Sequence, residues 1–206
     1  MIPLVVALVF VTDPYARWEK EVSAIEARVQ AKPGGIVFAG SSSIRLWNLR
    51  ASFPERTDLV NVGFGGSQIR DVTHFAGRLI VKHAPRQIVF YAGDNDIASN
   101  RTPKQLRDDY AGFAKAVHAK LPTTAIVFLA VKPSVARWKM VEAQRTANQL
   151  VKEFCAADER LQFADVGGVL LGADGKPEAS YFVKDGLHLA PSGYARWTSI
   201  VGPMLR

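Results

Sequence analysis

The stretch Pro33-Gly34-Gly35-Ile36-Val37-Phe38-Ala39-Gly40-Ser41-Ser42-Ser43 decides the fold. Pro33-Gly34-Gly35 stops the segment before it. Ile36 to Ala39 is then a continuous apolar run, the pattern of a strand covered on both faces. Gly40 and three serines turn the chain, and Ile44-Arg45-Leu46-Trp47 follows. A strand buried on both sides that turns directly into a helix is a unit of a parallel sheet.

The same alternation extends in both directions. Upstream, Asp13-Pro14 predicts a helix start, with Asp as N-cap and Pro at N1. Tyr15, Trp18, Val22, Ile25 and Val29 recur at spacings of three and four, which puts them on one face. Downstream, strands are predicted at Leu59 to Val62, Gln87 to Ala92, Ala125 to Val131 and Leu161 to Val166. Helices are predicted over Ile69 to Val81, from Thr102-Pro103 to about Lys120, over Arg137 to Ala157, and from Pro191-Ser192 onward. Val169 to Lys184 reads as a loop with an Asp174-Gly175 turn. The expectation is one three-layer α/β/α domain over residues 13–206, with a parallel, flavodoxin-like sheet. In such sheets ligands bind beyond the carboxyl ends of the strands. The Ser42, Gly66 and Asn95 stretches all follow strands, so they converge on one rim.

A length of 206 residues suits one domain, and 48% hydrophobic with 22% charged residues excludes a disordered chain. The net charge is +7, but the basic residues are dispersed and form no nucleic-acid arm, so no nucleic-acid partner is expected. Cys155 is the only cysteine, which rules out an intrachain disulfide. It sits in a helical pattern and reads as a small buried residue. Residues 1–12 form a separate apolar segment. Ile2 to Val11 has the length of a signal-peptide core but is too short to span a bilayer as a helix. A clipped signal peptide, a misplaced start and a β-like segment all fit it. Export and a cytoplasmic location both stand, and no stable membrane insertion is expected.

Four stretches carry the chemistry. Gly40 to Ser43 places a serine at a strand-to-helix turn, where hydroxyl and backbone N–H reach one small volume; a serine-rich turn or cap is the alternative. His188 sits in a loop three residues after Asp185, unlike His74, His83 and His118, which fall in helical segments. A carboxylate that close can fix the ring tautomer, or Asp185 can merely cap a turn. Gly65-Gly66 permits close backbone approach to a ligand, or is a plain turn. Asn95 offers an amide donor at a strand end, or an Asn-Asp turn. No metal-ligand spacing, P-loop or dinucleotide glycine pattern is present, so no metal and no cofactor are expected.

In this order the four stretches resemble the SGNH hydrolase superfamily, the GDSL-type esterases and lipases. Ala39-Gly40-Ser41-Ser42 resembles the nucleophile block and Asn61-Val62-Gly63-Phe64-Gly65-Gly66 the glycine block. Gly93-Asp94-Asn95-Asp96 matches the G-x-N-D block, and Asp185-Gly186-Leu187-His188 the D-x-x-H block. The resemblance runs from about Asp13 to the C-terminus. It implies a serine esterase with Ser42, His188 and Asp185 as triad. It also implies an oxyanion hole made of Ser42, Gly66 and Asn95. One departure stands out: Ser41 occupies the family's usual acidic position, and Ser41 and Ser43 remain alternative nucleophiles. Arg45, Trp47, Arg137 and Trp138 are candidates for a cationic and aromatic wall around a small-molecule ester. The absence of a large insertion favours a short acyl group. An acyltransferase or carbohydrate O-deacetylase would share the scaffold, and a non-catalytic binding module is the rival from another class.

Overall fold

Ile36–Gly40 forms β1, an interior strand of the sheet, and every residue in it is buried. The computed structural model describes residues 13–206; the apolar segment 1–12 lies outside them. Before β1 comes α1 (Glu19–Arg28). After it come α2 (Ser42–Arg45), α3 (Leu49–Ser52), β2 (Leu59–Asn61), α4 (Ile69–His74), α5 (Ala76–Leu79), β3 (Gln87–Tyr91) and α6 (Asp94–Ala98). Then follow α7 (Pro103–His118), β4 (Ala125–Leu129), α8 (Val141–Cys155), β5 (Leu161–Ala164) and α9 (Pro191–Val201).

The strands lie in the order β2-β1-β3-β4-β5 and all pairs are parallel. This is the flavodoxin-like order, in which the chain leaves β1 toward one side and later returns to β3 on the other. The loops after β1 and β3 therefore diverge and leave a crevice between them.

Successive residues of a strand point to opposite faces, and the two cores divide accordingly. Val37, Ala39, Ile88, Phe90, Ile126 and Phe128 pack with residues of α1, α4, α5, α7 and α8. Ile36, Phe38, Val89, Tyr91, Val127 and Leu129 pack with Trp47, Phe53 and Trp197 on the other side. Burial on both faces is why these strands carry no polar alternation.

Three elements differ from the sequence expectation. Asp13 does accept from the Tyr15 N–H through its side chain, at 2.9 Å, but the chain first makes a 3-10 turn over Ala16–Trp18 before α1 begins. The helix expected over Ile69 to Val81 is broken after His74, and again after Leu79, where a 3-10 turn follows. The break lets Val72, Phe75, Ala76, Leu79 and Ile80 all enter the core. α6 forms where the sequence suggests no helix and an Asn-Asp turn is one of two readings. Its first turn holds Asp94 and Asp96, both buried, which local polarity reads as loop.

Candidate active site

The end of β1 is locked from both sides. Ser41 N–H donates to Tyr91 O at 2.9 Å and Phe64 N–H to Gly40 O at 3.0 Å. Gly40 has φ of 140°, and a Cβ there would lie 1.9 Å from Tyr91 O, so no side chain fits. This sharp exit aims the next residues over the crevice. Ser41 is buried at the N-cap of α2 and its carbonyl accepts from Ile44 and Arg45. Ser43 is also buried, and its carbonyl accepts from the Tyr194 hydroxyl at 2.8 Å. Ser42 lies between them, half-buried, as the first residue of α2. There its own N–H has no intrahelical acceptor.

Of the three serines, Ser42 meets a histidine: His188 Nε2 lies 3.0 Å from its Oγ. His188 Nδ1 lies 2.6 Å from Asp185 Oδ2. Asp185 Oδ1 accepts from the backbone N–H groups of Leu187 and His188 at 2.8 and 2.9 Å. The His188 ring bond, and then those backbone bonds, hold the Asp185 carboxyl down at about 2. It is therefore ionised at neutral pH, and Nδ1–H donates to it. Nε2 is left as acceptor for the Ser42 hydroxyl. The loop is closed at its base, where Val183 N–H donates to His188 O and Phe182 bridges Leu189.

The glycine block is tied to α2 through Asn61. Its Nδ2 donates to Ile44 O and Trp47 O, and its Oδ1 accepts from Gly63 N–H at 3.0 Å. Gly66 has φ of 77°. Asn95, on α6, donates from Nδ2 to Ser67 O at 3.1 Å. Ser42, Gly66, Asn95 and His188 share an open cleft of about 390 Å³ with Glu21 and Arg45.

Beneath the cleft lies a buried charge cluster. Asp94 pairs with Lys132 Nζ at 3.2 Å and with Arg137 Nη1 at 2.8 Å. Burial alone would raise the Asp94 carboxyl, but the two cations outweigh it and lower it. Asp96, two residues on, differs: Oδ1 accepts from Ile69 N–H at 3.1 Å and Oδ2 has no partner among the described residues. Burial, with Asp109 and Asp71 nearby, pushes its carboxyl up to about 7. The folded state thus holds this proton more tightly than the unfolded chain. The resulting stability is complete below about pH 4 and is lost as pH rises through about 7. The melting temperature should fall between about pH 4 and about pH 7, and Asp96→Asn should flatten that slope. An unchanged slope in Asp96→Asn would place its origin elsewhere.

The expected cationic and aromatic wall is not what the structure assembles. Arg45 alone of its four residues lines the cleft. Trp47 is buried among Phe38, Phe53, Tyr194 and Trp197, with Nε1 donating to Ser52 Oγ. Its ring belongs to the core between α2 and α9. Arg137 turns inward to Asp94 and Asn95. Trp138 is half-buried at the start of a 3-10 turn and does not line the cleft. Glu21, absent from the sequence expectation, accepts from Gly65 N–H at 3.1 Å and lies 3.9 Å from Arg45. The other histidines are elsewhere: His74 stacks on Tyr15, His83 is buried, and His118 meets Thr124 O. Among the described residues no cluster of metal-binding side chains occurs, and no helix is long and apolar enough to cross a membrane. Cys155 is buried 3.9 Å from the Tyr110 hydroxyl, and burial raises its thiol to about 11.

Solved structures share the architecture. A protein from Streptococcus pneumonia superposes with a TM-score of 0.81 at 22% identity, covering 92% of each chain. A GDSL-like lipase from Bacteroides thetaiotaomicron gives 0.72 at 19% identity, over 93% of this chain and 96% of that one. A catalytic mutant of an acetylxylan esterase from Geobacillus stearothermophilus gives 0.67 at 12% identity, over 83% and 93%. At these identities the likeness establishes the fold. No curated protein matches the chain significantly. The profile of the GDSL-like Lipase/Acylhydrolase family matches residues 39–196, a span that opens at the end of β1 and encloses Ser42, Asn95 and His188. With that span and a five-stranded parallel sheet in flavodoxin-like order, the chain belongs to the GDSL-like lipase/acylhydrolase family of ester-hydrolysing serine hydrolases.

Proposed function

We propose that this protein is an esterase for short-acyl esters that uses Ser42 as nucleophile, His188 as general base and Asp185 as orienting carboxylate. The observation that carries this reading is the continuous chain Ser42 Oγ, His188 Nε2, His188 Nδ1, Asp185 Oδ2, with contacts of 3.0 and 2.6 Å at its two junctions. Serine is a weak nucleophile until a base takes its proton. His188 accepts that proton as Oγ attacks the ester carbonyl, and ionised Asp185 stabilises the imidazolium. The backbone N–H groups of Ser42 and Gly66 and the Asn95 amide stabilise the oxyanion. His188 then protonates the leaving alcohol, and water releases the acyl group from Ser42. Labelling with a fluorophosphonate, followed by peptide mapping, tests the assignment beside hydrolysis of p-nitrophenyl acetate. Label on Ser42 with turnover supports it. Label on Ser41 or Ser43 moves the nucleophile, and a folded protein with neither label nor turnover is a binding module instead.

The cleft at Ser42, about 390 Å³, is lined mostly by polar side chains and glycines, which favours a short acyl group. Beside it lies an apolar groove of about 830 Å³ that shares His188 and is lined by Leu46, Val183, Leu189, Pro191, Tyr194 and Ala195. Leu46 and Val183 are two of three large hydrophobic side chains left exposed among the described residues. Because His188 protonates the leaving oxygen, the alcohol part of the ester lies on this side. Lengthening the alcohol of an acetate ester should raise kcat/KM by up to about fourfold per methylene, from about 0.8 kcal/mol of burial each. Lengthening the acyl chain should bring no such gain. A flat alcohol series would remove the groove from substrate binding.

A further inference from the structure

We propose that Arg137 is a positioning residue for the oxyanion hole, holding the Asn95 amide so that one N–H faces the reacting carbonyl; this rests on the esterase reading above. Arg137 Nη2 donates to Asn95 Oδ1 at 3.1 Å. A guanidinium can only donate, so it accepts no amide orientation but the one that presents Oδ1. The flipped amide would set N–H against N–H. Ser67 O, an acceptor, then takes one hydrogen of Nδ2 at 3.1 Å. The second hydrogen of Nδ2 is left for the cleft.

Arg137 is itself held. Nη1 pairs with Asp94 at 2.8 Å, and Asp94 is anchored by Lys132, whose Nζ also donates to the Tyr91 hydroxyl at 3.3 Å. The side chains of Lys132 and Asp94 are only 1% and 6% exposed, so this is a low-dielectric cluster and not a surface ion pair. Two cations against one carboxylate leave a net positive charge behind the Asn95 carbonyl. That charge polarises the amide and makes its N–H a better donor to a developing oxyanion. The segment from Lys132 to Arg137 also reaches the base. Ala136 N–H donates to Gly186 O at 3.0 Å, within the Asp185–His188 loop. One short strap thus touches both the oxyanion donor and the loop of the base.

The test is a double-mutant cycle on p-nitrophenyl acetate. Asn95→Ala should lower kcat by about 10²–10³-fold, the effect of losing one oxyanion donor. Arg137→Ala should lower kcat by about 10- to 100-fold with KM within about threefold, because it acts on the transition state through Asn95. In the Asn95→Ala background, Arg137→Ala should cost less than about threefold more. Guanidinium ion in the low millimolar range should restore part of the kcat of Arg137→Ala and none in the double variant. Arg137→Lys should fall between, since an ammonium keeps the charge but not the two-sided fork. Wild-type kcat in Arg137→Ala would overturn the proposal. So would the full loss repeated in the Asn95→Ala background, or an effect confined to KM, which would make Arg137 a substrate contact. Failure of the underlying esterase reading is seen separately, as undiminished turnover in Ser42→Ala.

Discussion

Replacing Ser42 by Ala should lower kcat on p-nitrophenyl acetate by about 10⁴-fold or more, the scale of losing one member of a triad. The fold should tolerate the change. Ser42 Oγ has His188 as its side-chain partner, while the N-cap of α2 is the neighbouring Ser41. Losing one partly exposed hydrogen bond costs about 1 kcal/mol, which leaves the thermal midpoint within a few degrees of wild type. The adjacent serines supply the control. Ser41 and Ser43 are buried, so Ser41→Ala and Ser43→Ala should alter stability more than turnover. Activity that survives Ser42→Ala and vanishes in either control would move the nucleophile by one residue.

His188→Ala should match that loss, at about 10⁴-fold in kcat, and the double variant Ser42→Ala/His188→Ala should be no worse than either single. The non-additivity is the informative part. Without the base the hydroxyl keeps its proton, and without the hydroxyl the base has nothing to activate. The loop should survive, because Asp185 still accepts from the Leu187 N–H, and from the N–H of residue 188 itself, which an alanine retains. Added imidazole should recover some turnover in His188→Ala and none in Ser42→Ala. A stepwise, additive loss would mean that the two groups act separately.

What could be read from the sequence follows from where side chains find their partners. β1, β3 and β4 were legible because burial on both faces leaves uninterrupted apolar runs, as in Ile36-Val37-Phe38-Ala39. Asp185 and His188 were legible because their pairing is local, closed within one turn. The parts that were not legible depend on distant partners. Asp94 is legible only as part of the Gly93 to Asp96 block, since the two cations that hold it come from beyond β4. Trp47 closely follows Ser42 and Arg137 follows the end of β4, but the packing of α9 and the burial of Asp94 send them inward. Glu21 reaches Gly65 from α1, and no local pattern announces that bond. The broken helix between Ile69 and Val81 lacks proline, so its periodicity gave no sign of the bend at Phe75.

The bond between Ser42 and His188 spans 146 residues of chain, and that spacing sets an order of events during synthesis. A ribosome that has released the chain only through α8 has already delivered Ser42, the glycine block and Asn95. It has not delivered Asp185 or His188. On the proposed triad, Ser42 is an unactivated alcohol until the segment carrying Asp185 and His188 docks. On that proposal, hydrolytic competence therefore arrives only after the strands that must hold it have been made.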